Sequence, residues 1–180
     1  MKGILVCLLI LGLNGDYIYW NQRRMLDWED YKVKTSLPTD ETAVVRSAWD
    51  YDTPWHTKGS TLYININTVF VKSASWVKRG NESEYLLRHE QGHYDIAEAN
   101  ARKYREAVKE FNFNRATLHK DLDSLHQYYY ALCFKEQEQY DLETKHSLNK
   151  EVQEQWISRI MGELEKGMNY WNPEIETTMN

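Results

Sequence analysis

The sequence predicts an α+β fold, and three observations carry that expectation. Strand-like alternation is confined to the region before Asn81, helical periodicity fills the chain after it, and no repeat, low-complexity tract or Pro/Gly/Ser linker separates the two. At 180 residues the chain suits one domain with a real core. The expected organisation is a leader over 1–18, a single domain over 19–166 and a loose tail over 167–180.

Met1-Lys2-Gly3 opens the chain with one early cation, and an apolar run follows to Leu13. That run is too short to span a bilayer and has the form of a secretory signal peptide. Cleavage is expected between Gly12 and Tyr19, giving a secreted or periplasmic protein with no membrane span, and an uncleaved anchor is the alternative. Removal of the leader leaves Cys133 as the only cysteine, so no internal disulfide can form. Within the apolar run Tyr129-Tyr130-Ala131-Leu132-Cys133-Phe134 this thiol reads as buried and inert.

Residues 26–31 read as a short strand or turn. Residues 42–50 are strand-like, with Val44, Val45 and Trp49, and Asp52-Thr53-Pro54 ends them. The strongest strand signal spans 61–71, where two faces alternate, and 73–77 extends it as a bent or separate strand. Asn81, with Glu84 three residues on, forms a candidate N-cap and capping box. A long helix is expected from 82 to about 111, with Leu86, His93, Ala97, Ala101, Tyr104 and Val108 near one stripe. A second helix is expected over 115 to about 143 and a third over 149–166, its apolar stripe formed by Val152, Trp156, Ile160 and Leu164.

The first helix carries His89-Glu90-Gln91-Gly92-His93. Residues four apart on a helix project from one face, so both imidazoles can grip one zinc ion. Glu90, one residue after the first histidine, is the candidate general base for water activated by that metal. Gly92 costs helix stability of about 1 kcal/mol relative to alanine, and its expected use is to admit a neighbouring element close beside the metal. The alternative is a solvated helix carrying two unrelated histidines.

A catalytic zinc usually takes three protein ligands. A further histidine ten residues after His89 would sit at Ala99, so the third ligand comes from elsewhere. The richest segment is Tyr140-Asp141-Leu142-Glu143-Thr144-Lys145-His146-Ser147, at the end of the second helix. His146 is the first choice, since imidazole suits zinc and a chain break frees it to turn. Asp141 is the alternative, as ligand or as the carboxylate behind a ligating histidine. Glu143, Glu138 and Glu136 follow, beside the bland reading of a solvated helix end. His56, His119 and His126 have no ligand spacing, and Asp95 is either a supporting partner or a surface carboxylate.

These blocks resemble the bacterial family catalogued as domain of unknown function number 922, grouped with zincin-like metallopeptidases. Ser75-Trp76, Leu87 to Glu98 with Ala101-Arg102, Tyr140 to His146, and then Gln153 and Trp156 carry the resemblance, over about 26–160. It implies a secreted or periplasmic protein with a zincin-like core, a small mixed sheet on an active-site helix, and a further helix supplying site residues. By position, His89 and His93 would be zinc ligands, Glu90 the base, and Asp141 or His146 a further member. Ser147 departs from the pattern, because glycine is expected after the histidine.

The leading expectation is therefore a zinc-dependent hydrolase, a peptidase acting on a peptide or protein substrate. Residues 61–71 are the candidate edge strand for that substrate, and Tyr94, Tyr140 or a histidine the candidate oxyanion stabiliser. The competing expectation is a non-catalytic, zinc-stabilised extracytoplasmic binding module. A net charge of −5 with no basic stripe argues against a nucleic-acid partner.

Overall fold

The computed structural model describes residues 16–36, 43–45, 47–50 and 55–180. Strands come first: β1 (Tyr17–Tyr19), β2 (Val33–Thr35), β3 (Ala43–Val44), β4 (Ser47–Asp50), β5 (His56–Lys58), β6 (Thr61–Asn65), β7 (Asn67–Val71) and β8 (Trp76–Lys78). Helices α1 (Glu84–Glu110), α2 (Leu118–Thr144) and α3 (Lys150–Lys166) follow, and β9 (Glu174–Thr178) closes the fold. The α+β class is as expected. The leader lies outside the described residues up to position 15, while Tyr17 and Ile18 belong to β1, opposite Val71 and Phe70.

Residues 26–31 form a turn rather than a strand. Asp27 accepts from the Glu29 N–H and the Asp30 carboxylate accepts from the Asp27 N–H, a reciprocal cap on the 3-10 turn Trp28–Asp30. The 42–50 signal divides between β3, paired with β8, and β4, paired with β7; Asp52-Thr53-Pro54 falls outside the described residues.

The 61–71 signal is also two strands, and neither is an edge. The break is at Ile66, whose N–H donates to the Pro173 carbonyl and whose own carbonyl accepts from Arg105 Nε and Nη2 at 2.9 and 2.7 Å. With its backbone bound outside the ladder, Ile66 hands the chain from one sheet to the next. β6 becomes the centre of β5-β6-β9 and β7 the centre of β1-β7-β4. With β1 and β4 beside β7, and β5 and β9 beside β6, the expected edge strand for a substrate is not there. The tail is accordingly not loose: Ile175, Thr177 and Met179 are buried, and β9 pairs antiparallel with β6 over five residues. Its inward residues are Ile175, Thr177 and Met179, so a polar threonine breaks the hydrophobic alternation by which a strand is read from sequence.

The cap of α1 is Ser83, not Asn81: the Ser83 hydroxyl accepts from the Leu86 N–H at 3.1 Å, and Glu82 instead binds the Gly80 N–H. From there α1 runs through the centre of the molecule. Its C-terminal half packs Ala101, Tyr104 and Val108 against Leu62, Ile64 and Ile175 of the β5-β6-β9 sheet and Leu118 and Leu122 of α2. Its N-terminal half places Leu86 and Tyr94 with Phe70, Val77 and Tyr31 on the sheet side. A third cluster, with Ile96, Ala97, Cys133, Tyr140, Trp156 and Ile160, joins the three helices. Cys133 is buried within it as expected, and burial pushes its thiol up to about 12. Among the described residues, no helix is long and apolar enough to cross a membrane.

Candidate metal centre

Where α1 meets the last turns of α2, His89, His93 and Asp141 converge. The two imidazoles stand one helical turn apart, with ring centroids 4.9 Å apart and planes at 89°. His89 Nε2 lies 3.2 Å and His93 Nε2 3.0 Å from a single oxygen, Asp141 Oδ1. Tyr140 wedges the helices together, stacked on His89 at 4.6 Å and edge-on to His93 at 4.9 Å. Gly92 makes this possible: a Cβ there would lie 2.5 Å from the Tyr140 hydroxyl oxygen. The close neighbour expected of Gly92 is thus the side chain of α2.

Electrostatics follow from that convergence. Burial acts to lower the His93 pKa, but hydrogen bonding and charge from Asp141 outweigh it and push the ring up to about 9. Burial prevails at His89, which is lowered. Burial would raise Asp141, yet hydrogen bonds from both histidines hold its carboxyl well below the usual carboxylate range.

The arrangement fits a metal ion on the chemistry of its donors. Gln137 Nε2 donates to the His93 carbonyl at 2.8 Å, so Gln137 Oε1 is the atom that meets His93 Nδ1 at 2.5 Å. An oxygen acceptor there makes Nδ1 the protonated nitrogen and leaves the Nε2 lone pair of the neutral ring aimed at a carboxylate oxygen. Two acceptors at 3.0 Å repel unless a cation, a proton or a metal, lies among them. The edges of a tetrahedron built on zinc–ligand bonds of about 2.05 Å are about 3.3 Å, close to the spacings found here. The three ligand atoms lie within 4.8 Å of one another, and this group could hold a metal ion.

The third member of the group is Asp141, the alternative in the sequence reading, rather than His146. Asp141 is still on the last turn of α2 and faces α1. His146 lies past the helix end, where Lys145, His146 and Ser147 all take left-handed backbone with φ of 52°, 51° and 72°. This turn caps α2, with the His146 N–H donating to the Asp141 carbonyl, and it leaves the imidazole 71% exposed with Nδ1 3.4 Å from Asp141 Oδ1. Glu143 accepts from Trp156 Nε1, and Glu136 accepts from Asn100 and Arg159. Both brace helices and stand outside the group.

Glu90 is buried, and its Oε2 accepts from the Val45 N–H at 3.0 Å, just past β3. Its negative charge acts on His93. Neither tyrosine offers the hydroxyl expected of it: Tyr94 donates to the Ile18 carbonyl at 2.6 Å and Tyr140 to the His89 carbonyl at 3.2 Å. Asp95 is no surface carboxylate. It accepts from Trp20 Nε1 and Gln91 Nε2, while Gln91 Oε1 accepts from the Leu26 N–H, so the motif's own third residue ties the N-terminal segment to α1. Burial pushes Asp95 up to about 6. His56 stacks on Tyr63, His119 pairs with Asp123, and His126 packs between Tyr104 and Tyr130, all outside the group. Sequence reading missed Gln137 and the Val45 N–H. Gln137, four residues before Asp141 on the same helical face, carried a readable signal; a backbone donor from a strand did not.

Residues 72–147 match the family model described as "Bacterial protein of unknown function (DUF922)". This is the family the motif blocks pointed to, over a narrower stretch than the 26–160 they suggested. The match holds both halves of the group, His89 and His93 in its first third and Asp141 near its end. No curated protein and no solved structure matches the chain.

Proposed function

We propose that this protein is a zinc-dependent hydrolase acting on peptide bonds outside the cytoplasm. The observation that carries the reading is the convergence of two imidazole nitrogens and one carboxylate oxygen beside buried Glu90. Bound there, zinc would supply Lewis-acid polarisation of a carbonyl and of water. The chain's own contributions are then distinct. His89 and His93 supply neutral nitrogen ligands and Asp141 a negative oxygen, while Tyr140 and Gly92 fix the spacing of the two helices. Glu90 holds and returns a proton, aimed by the Val45 N–H. The apolar run after Lys2 supports export.

One observation favours a second reading, a zinc-stabilised binding module without turnover. Glu90 is only 3% exposed and its carboxylate is bonded to backbone, as a structural brace would be. Two assays separate the readings. Elemental analysis of the purified protein is expected to give one zinc per chain, lost in His89→Ala and Asp141→Ala and kept in His146→Ala. Glu90→Gln is expected to keep zinc and to lose peptide hydrolysis by about 10²- to 10⁴-fold, the range for a general base. Undiminished hydrolysis in Glu90→Gln would remove the proposed base. Zinc without hydrolysis of any peptide pool in the wild type would leave the binding module.

A further inference from the structure

Behind each histidine of the group stands a glutamine, one from α2 and one from α3. We propose that Gln137 and Gln153 are a matched pair of positioning residues, each fixing one imidazole as its Nδ1–H tautomer so that both Nε2 lone pairs meet at Asp141. The inference rests on the metal reading above and extends it to how the ligands are aimed.

For Gln137 the hydrogen bonds decide the orientation. Its Nε2 is committed to the His93 carbonyl, which can only accept, so its Oε1 faces Nδ1. Gln153 offers the same pair of groups to the other ring. It is 0% exposed, and its Nε2 donates to the carbonyl of Tyr85, one turn before His89 on α1, at 3.4 Å. Its Oε1 and His89 Nδ1 are both buried without a hydrogen-bond partner. One orphan is an acceptor and the other a nitrogen that can carry a proton, so the two are chemically fitted to satisfy one another. Each amide thus has its NH₂ anchored on α1 backbone and its oxygen left for the ring.

The choice of an amide has a chemical consequence. A carboxylate behind a ligating histidine orients it but adds negative charge and raises its basicity. A glutamine orients without charge. Among the three ligands only Asp141 is anionic, so a divalent cation held there keeps net positive charge, which favours polarisation of a bound group. The proposal also gives α3 a role that the ligand set alone does not: it delivers Gln153.

The test uses the full mature chain with zinc. Long-range ¹H–¹⁵N correlation spectra of the zinc-loaded protein are expected to show His89 and His93 protonated at Nδ1 and ligating through Nε2. Competition with a chromophoric chelator is expected to show zinc affinity about 10- to 100-fold weaker in Gln137→Met and in Gln153→Met. Gln137→Glu, which restores an acceptor, is expected to recover most of that loss. Ligation through Nδ1 by either ring would overturn the proposal, and so would wild-type affinity in both Met variants; the metal reading would survive either result. A wild-type chain that binds no zinc would overturn both. The spectra need no variant, so a Gln153→Met chain that fails to fold leaves the inference exposed to refutation.

Discussion

Ser147 occupies a backbone position that L-residues avoid, at φ 72° and as the third left-handed residue in succession. The expected glycine is missing at a place where the geometry asks for one. A β-carbon in the left-handed region costs roughly 1–2 kcal/mol, and glycine returns roughly 0.5–1 kcal/mol of that through unfolded-state entropy. Ser147→Gly should therefore raise stability by about 0.5–1 kcal/mol, read from the denaturation midpoint at unchanged m-value. A lower midpoint would mean that the serine side chain makes a compensating bond. Asp141 and His146 show the same local logic. Five residues apart around a helix end, one is held on the last turn facing α1 and the other is turned out to solvent.

At the scale of elements, α1 joins the site to the rest of the molecule. Glu98 accepts from Arg102 Nε at 2.9 Å and from Arg105 Nη1 and Nη2 at 2.9 and 3.1 Å, with all three residues 2% exposed. Arg105 also holds the Ile66 and Tyr170 carbonyls, and Arg102 binds the Leu164 carbonyl. One carboxylate thus anchors the two arginines that clamp both the strand break and the C-terminal segment. Glu98→Gln leaves two buried guanidinium groups without their carboxylate and should cost about 3–5 kcal/mol, with faster hydrogen exchange in β9 than in β7. A cost under 1 kcal/mol would show the network to be dispensable. On α2, His126 is half-buried beside Tyr104 and Tyr130, and that burial holds its pKa below the ordinary 6.5. A histidine that binds its proton more weakly folded than unfolded favours unfolding once protonated, so stability falls as pH drops through about 6.5. Between pH 7.5 and 5.5, His126→Phe should lose less melting temperature than the wild type. An equal loss in both would assign the dependence to other groups.

Across the whole molecule, the group is assembled from separate parts: α1 brings His89 and His93, α2 brings Asp141 and Gln137, α3 brings Gln153, and Val45 beside β3 holds Glu90. A cation that binds only when these meet should stabilise the entire fold. Zinc at 100 times its dissociation constant should add about 2.7 kcal/mol, read as a rise in melting temperature that a chelator reverses. The same rise in Asp141→Ala would place the ion elsewhere.

The sequence by itself determined the α+β class, the three helices to within a few residues, the two histidines with Glu90, the short segment that completes them, and the buried state of Cys133. Those features are local: helical periodicity, i,i+4 spacing and apolar runs are properties of neighbours in the chain. Tertiary structure decided the rest. Whether Asp141 or His146 joined the group depended on where α2 ends against α1. Whether 61–71 was one edge strand or two central ones depended on Arg105 binding Ile66 from 39 residues away and on β9 arriving from the C-terminus. Hydrogen bonds and ion pairs across such distances have no period along the chain, so only the folded backbone could select among partners that the sequence left equivalent.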